Sequence, residues 1–334
     1  MILYGVIMLI IDGAEASDYK VCKNVKKIKH LGTYGQVDNT PRGMETGSLS
    51  CIMNILGVPK ENIPNGRAYL ETVSEDIETH NDDLIFRCNN VTIENNKLIS
   101  SCGNYKAGGI KESDIKGCKL VHMGAYKNLF IMKNAKRYID SIITYPPHQN
   151  IGRDLAEIYP RCSNTKIEKI LKNLIDNYDL FPWGQSIKQR IPSFKELHNK
   201  DGAVVCKTEI VKGIAKAMKM CCPDIKESTA DIDTNLVEKA RAALELSKEY
   251  EFVLLHINGT DESAHRKNNK QKIDFIKKID SEVVKYISEN INKDTAFIVT
   301  SDHGTSAQSG KHVKGFVNYY ILNENKEARL WLKQ

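Results

Sequence analysis

The sequence has no apolar run long enough to span a membrane, and aromatic residues make up only 7% of its 334 residues. The most apolar stretch, MILYGVIMLIIDG at residues 1–13, lacks the basic start and the small-residue cleavage site of a signal peptide, and it runs into Asp12. This stretch therefore predicts a buried strand. The lack of membrane and secretion signals leads us to expect a soluble, cytoplasmic protein with no membrane partner.

The nine cysteines are scattered and odd in number, without a C-x-x-C pair or a regular framework. Cys221 and Cys222 are adjacent and cannot easily bridge each other. This pattern excludes a disulfide scaffold. Free thiols in a reducing cytoplasm are the expected state.

The chain also lacks a strong excess of one charge, with 48 basic and 42 acidic residues and a formal net charge of +6. Basic residues gather in KVCKNVKKIKH at residues 20–30, but no aromatic residues are interleaved and no nucleic-acid motif accompanies them. This stretch predicts a solvated helix face and no nucleic-acid partner. The small positive excess suits an anionic small-molecule substrate, because field lines focus in a cleft.

Strand-like and helix-like segments alternate in the outer parts of the chain. Apolar runs at residues 2–11, 252–257 and 295–300 predict buried strands. Amphipathic repeats at residues 235–251 and 272–290 predict helices. This alternation predicts an α/β fold in which a largely parallel sheet has helices on both faces.

The middle of the chain has a different texture. LIFRCNNVTIENNKLISSCG at residues 84–103 alternates apolar and polar residues around the turn residues ENN, which predicts a hairpin. SIITYPPHQN at residues 141–150 marks a predicted crossing point between domains. We therefore predict a discontinuous α/β domain and, within it, a smaller β-rich inserted cap, with boundaries at residues 1–75 and 150–334 for the first and 76–149 for the cap.

Three of the predicted strands run into residues of the types that bind metals. IMLII ends at Asp12, FVLLHI leads to Asp261 and His265, and AFIVTS ends at Asp302 and His303. In open α/β sheets, functional groups gather beyond the carboxyl ends of the strands. Asp261 and His265 by themselves also fit a solvated ion pair. Three such strand ends together favour a divalent metal site.

Adding His312 gives three carboxylates and three imidazoles, enough for two metal ions. Carboxylates suit Mn²⁺ or Mg²⁺, and imidazoles shift the preference towards Mn²⁺ or Zn²⁺. We therefore predict two divalent ions, with Mn²⁺ as the first expectation. Two ions about 3.5–4 Å apart can clamp the attacking and departing oxygens of a displacement at phosphorus.

Phosphoryl transfer also needs a nucleophile, and ETGSLS supplies Ser48 at the start of a helix predicted over residues 46–57. A helix N-terminus favours phosphate, and metal coordination would lower the pKa of the hydroxyl. The open alternative is that Ser48 only caps the helix.

Ten stretches, spread over nearly the whole chain, match the motifs of a known family in the same order. They are IDG (11–13), GS (47–48), GRAYLE (66–71), FRCNNVTI (86–93), PPHQNIGRDLAEIYP (146–160), WGQSIKQRIPSF (183–194), VKGIAKAMKM (211–220), DTNLVEKARAALE (233–245), TDESAH (260–265) and TSDHGTS (300–306). Through them the chain resembles the cofactor-independent phosphoglycerate mutases of archaeal type, in the alkaline phosphatase superfamily. The resemblance implies an alkaline-phosphatase-like α/β fold and an isomerase that acts on a small phosphorylated acid.

The resemblance also implies roles for individual residues. One metal ion would be held by Asp12, Ser48, Asp302 and His303, with Ser48 transiently phosphorylated. The second would be held by Asp261, His265 and His312. The implied reaction moves phosphate from one hydroxyl of a phosphoglycerate to Ser48 and back to the neighbouring hydroxyl.

Four residues are expected to contact the substrate. Arg67, Arg87 and Lys212 match positions that bind its carboxylate or phosphate, and His148 in PPHQN is added to them. An outward-facing arginine, a solvated helical lysine and an ordinary loop histidine remain the alternatives for Arg87, Lys212 and His148.

The chain departs from the family pattern beside the nucleophile. Leu49 follows Ser48 where an aspartate is usual, and Met53 stands near the position of an expected histidine. These departures concern substrate identity more than reaction type. They leave two alternatives to a mutase: a phosphohydrolase or phosphotransferase acting on another phosphorylated or phosphonylated acid, and a non-catalytic metabolite-binding protein.

Overall fold

The computed structural model describes residues 5–104 and 115–331. The first predicted strand is found at Val6–Ile11, and its residues 2–4 lie outside the described ranges. The strands of the described ranges are β1 (Val6–Ile11), β2 (Thr33–Val37), β3 (Leu84–Asn90), β4 (Thr92–Glu94), β5 (Lys97–Ser100), β6 (Cys118–Gly124), β7 (Lys127–Met132), β8 (Ile142–Ile143), β9 (Arg161–Cys162), β10 (Leu180–Ile187), β11 (Gly202–Val205), β12 (Phe252–Ile257), β13 (Ala296–Thr300), β14 (Gly304–Ser306), β15 (Lys311–Val313) and β16 (Val317–Leu322).

The α-helices complete the chain between these strands. They are α1 (Lys23–Leu31), α2 (Ser48–Ile55), α3 (Ala68–Ser74), α4 (Leu155–Ile158), α5 (Thr165–Tyr178), α6 (Phe194–His198), α7 (Glu209–Ala217), α8 (Leu236–Leu246), α9 (Gly259–His265), α10 (Asn269–Ile279), α11 (Lys285–Asn290) and α12 (Lys326–Leu330). Within the described ranges, none of them combines the length and apolarity needed to cross a membrane.

The first of two units contains the described residues up to Ile63 and from Ile191 onward. Its six-stranded sheet has the order β11-β12-β1-β13-β16-β2. The first four strands are parallel, β16 joins β13 antiparallel, and β2 joins β16 antiparallel. Every residue of β1, β12 and β13 is buried, which explains their near-continuous apolar runs, because a strand covered on both faces has no solvent side.

The core of this unit packs alternate side chains of the central strands against helices. Ile7, Leu9 and Ile11 of β1 belong to one cluster with Phe275 and Ile276 of α10. Each such buried side chain contributes about 1.5–3 kcal/mol of hydrophobic stabilisation. The strands are therefore fixed in register, and the positions at which they end are fixed with them.

The second unit, Pro64–Arg190, has an antiparallel sheet of order β10-β3-β7-β6. An apolar cluster of this unit joins Phe86 of β3 and Phe130 of β7 to Leu171 and Leu174 of α5. Asn95 and Asn96 adopt positive φ in the turn between β4 and β5, at the position where ENN predicts one.

The boundaries of the second unit differ from those expected of the cap. Residues 76–149, predicted as the cap, lie inside it, but it also includes residues 64–75 and 150–190, which were predicted to belong to the α/β domain. Residues 150–190 join this unit because β10 pairs with β3 along most of its length. Residues 64–75 join it because α3 contacts the same two strands. Helix α5 then packs against β10 and the same core.

Candidate metal centre

The three predicted strand ends meet at one edge of the first unit's sheet. β12, β1 and β13 are adjacent and parallel, so their carboxyl ends lie side by side. Asp12 directly follows β1, Asp302 lies two residues after β13, and Asp261 lies in α9, four residues after the end of β12. The topology thus brings together carboxylates that are far apart in the sequence.

Gly13 permits the close approach of two of these strand ends. Its φ is +71°, and a Cβ placed there would lie 2.7 Å from Oδ1 of Asp261 and 2.9 Å from its Cα. Any side chain at residue 13 would therefore collide with the backbone and carboxylate of Asp261.

The first cluster of ligand atoms surrounds Nε2 of His303. That nitrogen lies 3.6 Å from Oδ1 of Asp12 and 3.3 Å from Oδ2 of Asp302. Nδ1 of His303 lies 3.2 Å from the Gly304 carbonyl, which can only accept a hydrogen bond. Nδ1 therefore carries a proton, and Nε2 faces the two carboxylates. Burial opposes a charge on this ring, but the negative charges around it raise the pKa of His303, so a proton and a metal ion would compete for Nε2.

Ser48 lies beside this cluster at the first position of α2. Its Oγ lies 3.3 Å from Oδ2 of Asp12, to which it donates, and 3.4 Å from Nε2 of His303. The residue at the N-cap position is Gly47, and no side-chain hydrogen bond caps the helix. The structure therefore does not support the capping alternative for Ser48.

The oxygens of this cluster fit a cation. Oδ1 of Asp12 and Oδ2 of Asp302 are buried and have no hydrogen-bond partner among the described residues. Burial and the negative charges of Asp302 and Asp261 raise the pKa of Asp12 well above its ordinary value. Such oxygens are costly to bury unless a positive charge faces them, and a divalent ion would supply it.

The second cluster contains Asp261, His265 and His312. Nε2 of His265 lies 3.0 Å from Oδ2 of Asp261 and 3.2 Å from Nε2 of His312. Their Nδ1 atoms lie 2.8 Å from the Gly310 carbonyl and 2.9 Å from the Thr46 carbonyl, respectively. The Nε2 atoms of both rings therefore face the same point, which is the arrangement of metal-ligating histidines held by backbone carbonyls.

The charges of this cluster are strongly coupled. The hydrogen bond and charge of Asp261 raise the pKa of His265 to about 9. Burial acts against ionisation of Asp261, but the hydrogen bond and charge of His265 outweigh it and lower the pKa of Asp261. Oγ1 of Thr305 donates a hydrogen bond to Oδ1 of the same carboxylate. A proton on His265 and a metal ion would therefore compete for one electron pair.

The structure adds His256, which the sequence analysis did not single out. It lies within β12, is 1% exposed, and places Nε2 3.1 Å from Oδ2 of Asp12. Burial lowers the pKa of His256 to about 4, so the ring is neutral and donates Nε2–H to Asp12. Within the part of the chain that the structure describes, Nδ1 is buried without a hydrogen-bond partner. Ligand atoms of His256, Asp12 and Asp302 lie within 4.8 Å of one another. A histidine in an otherwise apolar strand is the sequence signal that could have pointed to it.

Two predicted substrate contacts, Arg67 and Arg87, share one carboxylate in the second unit. Nε of Arg67 lies 2.8 Å from Oε1 of Glu71, and Nε of Arg87 lies 3.0 Å from its Oε2. The Arg87 guanidinium stacks over Trp183 at 4.1 Å, and the His148 ring meets the same indole at 5.2 Å. The structure thus brings together Arg67, Arg87 and His148, which makes an outward-facing Arg87 the weaker reading.

Lys212 belongs to the first unit, in the first half of α7, where it is half-buried. Its positive charge acts on the neighbouring thiols of Cys206 and Cys222. The fully solvated alternative for Lys212 is therefore not what the structure shows.

The chain is similar to archaeal proteins that share one name. The chain is 27% identical over 330 residues to the 2,3-bisphosphoglycerate-independent phosphoglycerate mutase 1 of Methanocaldococcus jannaschii, covering 86% of this chain and 78% of that protein. It is 28% identical over 324 residues to the 2,3-bisphosphoglycerate-independent phosphoglycerate mutase of Methanococcus aeolicus, with the same coverage of both chains. The predicted relationship to archaeal phosphoglycerate mutases is thereby confirmed.

Solved structures show the same fold. The PH0037 protein of Pyrococcus horikoshii matches with a TM-score of 0.71 at 21% identity, covering 96% of this chain and 88% of that one. The cofactor-independent phosphoglycerate mutase of Thermoplasma acidophilum matches with a TM-score of 0.54 at 18% identity, covering 95% and 89%. At these identities the likeness shows the fold alone, and it confirms the predicted fold class. The model of the Metalloenzyme superfamily matches residues 6–331, and the chain belongs to that superfamily.

Proposed function

We propose that the protein catalyses metal-dependent phosphoryl transfer through a phosphoserine at Ser48, interconverting 2-phosphoglycerate and 3-phosphoglycerate or a close analogue. The observation that carries this proposal is the position of the Ser48 hydroxyl, 3.3 Å from Asp12 and 3.4 Å from His303, at the start of a helix. The names of the relatives indicate the substrate class, a small phosphorylated acid.

Two divalent ions, with Mn²⁺ the first expectation, are part of the proposal. One ion would be held by Asp12, Asp302, His303 and Ser48, and the other by Asp261, His265 and His312. When bound, these ions would lower the pKa of the Ser48 hydroxyl and neutralise charge on the phosphoryl oxygens. The partnerless carboxylate oxygens and the facing imidazole nitrogens support this assignment.

The protein's own residues would direct the transfer. The Ser48 hydroxyl points its proton at Asp12, which leaves an oxygen lone pair for phosphorus. A bond forms between Oγ and phosphorus while the bond from phosphorus to the glycerate oxygen breaks. Ser48 loses its proton towards Asp12, and the departing glycerate oxygen takes up one proton in its place. The neighbouring glycerate hydroxyl then attacks the phosphoserine and restores Ser48. The free N–H groups in the first turn of α2 suit the phosphoryl oxygens.

The proposed substrate contacts are Arg67, Arg87, His148 and Lys212. Glu71 fixes the Nε side of both guanidinium groups, so their orientation is set before a ligand binds. Preorganised cations of this kind suit the carboxylate and phosphate of a phosphoglycerate, which must be retained between the two transfers.

A phosphohydrolase is the second candidate, and the residues after the nucleophile favour it. Leu49 follows Ser48, and Met53, near the position of an expected histidine, is fully buried in the core side of α2. In a hydrolase, water would attack the phosphoserine in place of the second glycerate hydroxyl.

The nine cysteines are all free, so a reducing, cytoplasmic location is part of either proposal.

The test is incubation of the Mn²⁺-loaded protein with 3-phosphoglycerate, followed by phosphorus NMR. The proposal predicts 2-phosphoglycerate without inorganic phosphate. Inorganic phosphate as the main product would instead support the hydrolase. The absence of both products would contradict both enzymatic proposals and favour a non-catalytic binding protein.

A matched pair of serine variants tests the nucleophile. Ser48→Ala is expected to lower kcat by a factor on the order of a thousand or more, because it removes the hydroxyl that the proposed reaction uses as its covalent nucleophile. Ser50→Ala is the control, since Ser50 lies in the same helix and donates its hydroxyl to the Glu45 carbonyl. Equal activity of Ser48→Ala and Ser50→Ala would exclude Ser48 as the nucleophile.

A further inference from the structure

Two cysteines lie in contact at the β11 end of the first unit's sheet. Cys206 directly follows β11, and Cys222 follows Cys221, which forms a parallel bridge with Ala203 of that strand. The Sγ atoms of Cys206 and Cys222 are 3.7 Å apart, and both thiols are free. The reaction proposed above uses neither of them.

Backbone hydrogen bonds fix this pairing. Val204 N–H donates to the Cys221 carbonyl at 2.7 Å, and Cys221 N–H donates to the Gly202 carbonyl at 3.0 Å. The segment from β11 through α7 to Cys222 therefore returns to the strand from which it left. A disulfide has an S–S distance of about 2.0 Å, so the two sulfurs must approach by less than the diameter of one atom. Side-chain rotation can supply such a shift while the backbone register is kept.

The two thiols differ in access and charge environment. Cys206 is 5% exposed, whereas Cys222 is partly open to solvent. The Cys206 thiol hydrogen-bonds to the Cys222 sulfur and, with the positive charges of Lys212 and Lys216, lowers the pKa of Cys222. The thiolate is the attacking form of cysteine, so Cys222 combines access with reactivity and Cys206 is placed to react second.

We propose that Cys206 and Cys222 are a redox-active pair. They form a reversible intramolecular disulfide when the protein reacts with a small disulfide oxidant such as oxidised glutathione. The Cys222 thiolate attacks one glutathione sulfur, the glutathione S–S bond breaks, and one glutathione thiolate leaves. The Cys206 thiolate then attacks Cys222 sulfur in the mixed disulfide and displaces the second glutathione. The protein loses two protons and two electrons, and the oxidant becomes two molecules of reduced glutathione.

The disulfide would close a loop around α7. This helix lies between the two cysteines and carries Lys212, a proposed substrate contact. Oxidation would therefore restrain the segment that presents Lys212. That consequence rests on the proposed function, but formation of the disulfide does not.

The experiment equilibrates the full chain with mixtures of reduced and oxidised glutathione, blocks remaining thiols with an alkylating reagent, and maps the peptides by mass spectrometry. We expect one linked pair of peptides containing Cys206 and Cys222, with the intact mass lower by two hydrogen atoms before alkylation. Dithiothreitol should restore both thiols. This readout requires no enzymatic activity, so failure of the proposed function would leave it unaffected.

Single variants test the order of the two steps. Cys206→Ser should stop at a glutathione adduct on Cys222, and Cys222→Ser should form neither the adduct nor the cross-link. Cys102→Ser, which removes an exposed cysteine of the second unit, should oxidise like the wild type. The proposal is overturned if both thiols of the wild type remain alkylatable under oxidising mixtures, if Cys222 retains glutathione, or if cross-links join other cysteines. The peptide map of the oxidised wild-type protein decides whether the disulfide forms, even if substitution of a buried cysteine impairs folding.

Discussion

At the scale of single residues, His256 orients a carboxylate of the candidate centre. It donates Nε2–H to Asp12 from inside the central sheet. We expect His256→Leu to weaken Mn²⁺ binding by about 10- to 100-fold, because partners that orient metal ligands typically contribute this much. His256→Gln keeps an N–H donor at a similar reach and should lose less. Isothermal titration calorimetry with Mn²⁺ measures both, and wild-type affinity in His256→Leu would refute the positioning role.

Glu71 is expected to act in the same way on the two arginines of the second unit. Glu71→Gln keeps the shape of the side chain but removes the charge shared by Arg67 and Arg87. The KM for 3-phosphoglycerate should rise about tenfold with kcat within about twofold, as expected when uniform binding is lost. Glu75→Gln, at the exposed end of the same helix, is the control. A fall in kcat with constant KM would contradict a role in binding.

The Asp261–His265 pair predicts how metal binding depends on pH. Because Asp261 raises the pKa of His265 to about 9, His265 holds a proton at neutral pH that a metal ion must displace. The apparent Mn²⁺ affinity should therefore increase with pH, by about tenfold per unit if one proton is released, until pH approaches that pKa. Calorimetry at several pH values, in buffers of different ionisation enthalpy, measures both the affinity and the released proton. Affinity that is constant from pH 6 to about 8 would contradict this coupling.

Site residues that follow a strand are easier to predict from the sequence than site residues within a strand. Asp12, Asp261 and Asp302 stand out because each interrupts an apolar pattern at its end. His256 lies inside such a pattern, and its function depends on which strand neighbours it. That β1 lies between β12 and β13 is a tertiary fact with no local sequence signal.

At the scale of secondary-structure elements, the start of α1 depends on a carboxylate from a distant helix. No side chain of its own N-terminal segment caps α1, and Asp280 instead accepts hydrogen bonds from the N–H groups of Asn24 and Val25, both at 2.9 Å. We expect Asp280→Ala to lower the free energy of unfolding by about 2 kcal/mol, since buried helix N–H groups lose their partner. Urea denaturation followed by circular dichroism measures this change.

A second aspartate provides the comparison for Asp280. Asp274 lies in α10 and forms exposed ion pairs with Lys270 and Lys277. Asp274→Ala should leave the unfolding curve unchanged, because exposed ion pairs contribute little. Equal unfolding midpoints for the two variants would show that the distant cap is not needed.

The same region shows what periodicity could not reveal. The apolar repeat at residues 272–290 predicts one helix, and the structure has α10, a π-helical turn at Asp280–Val284, and α11. A π-turn shifts the helix face by one residue and leaves the average apolar pattern nearly unchanged. The turn carries Asp280, so the interruption coincides with the cap of α1.

At the scale of the whole molecule, the alternation of strands and helices was enough to predict the fold class but not the unit boundaries. Strand β10 contains Pro182 and Gly184, which weaken its strand pattern, and its partner β3 lies about ninety residues earlier. Pairing across such a separation is decided by the packed core. Residues 150–190 therefore join the second unit, although they follow its predicted end.

The central claim is that side chains remote in the sequence form a centre for two divalent ions beside Ser48. Anomalous diffraction from crystals grown with Mn²⁺ tests it most directly. Two peaks are expected, one bounded by Asp12, Asp302 and His303 and the other by Asp261, His265 and His312. Peaks elsewhere, or none at these two clusters with Mn²⁺ in excess, would contradict it.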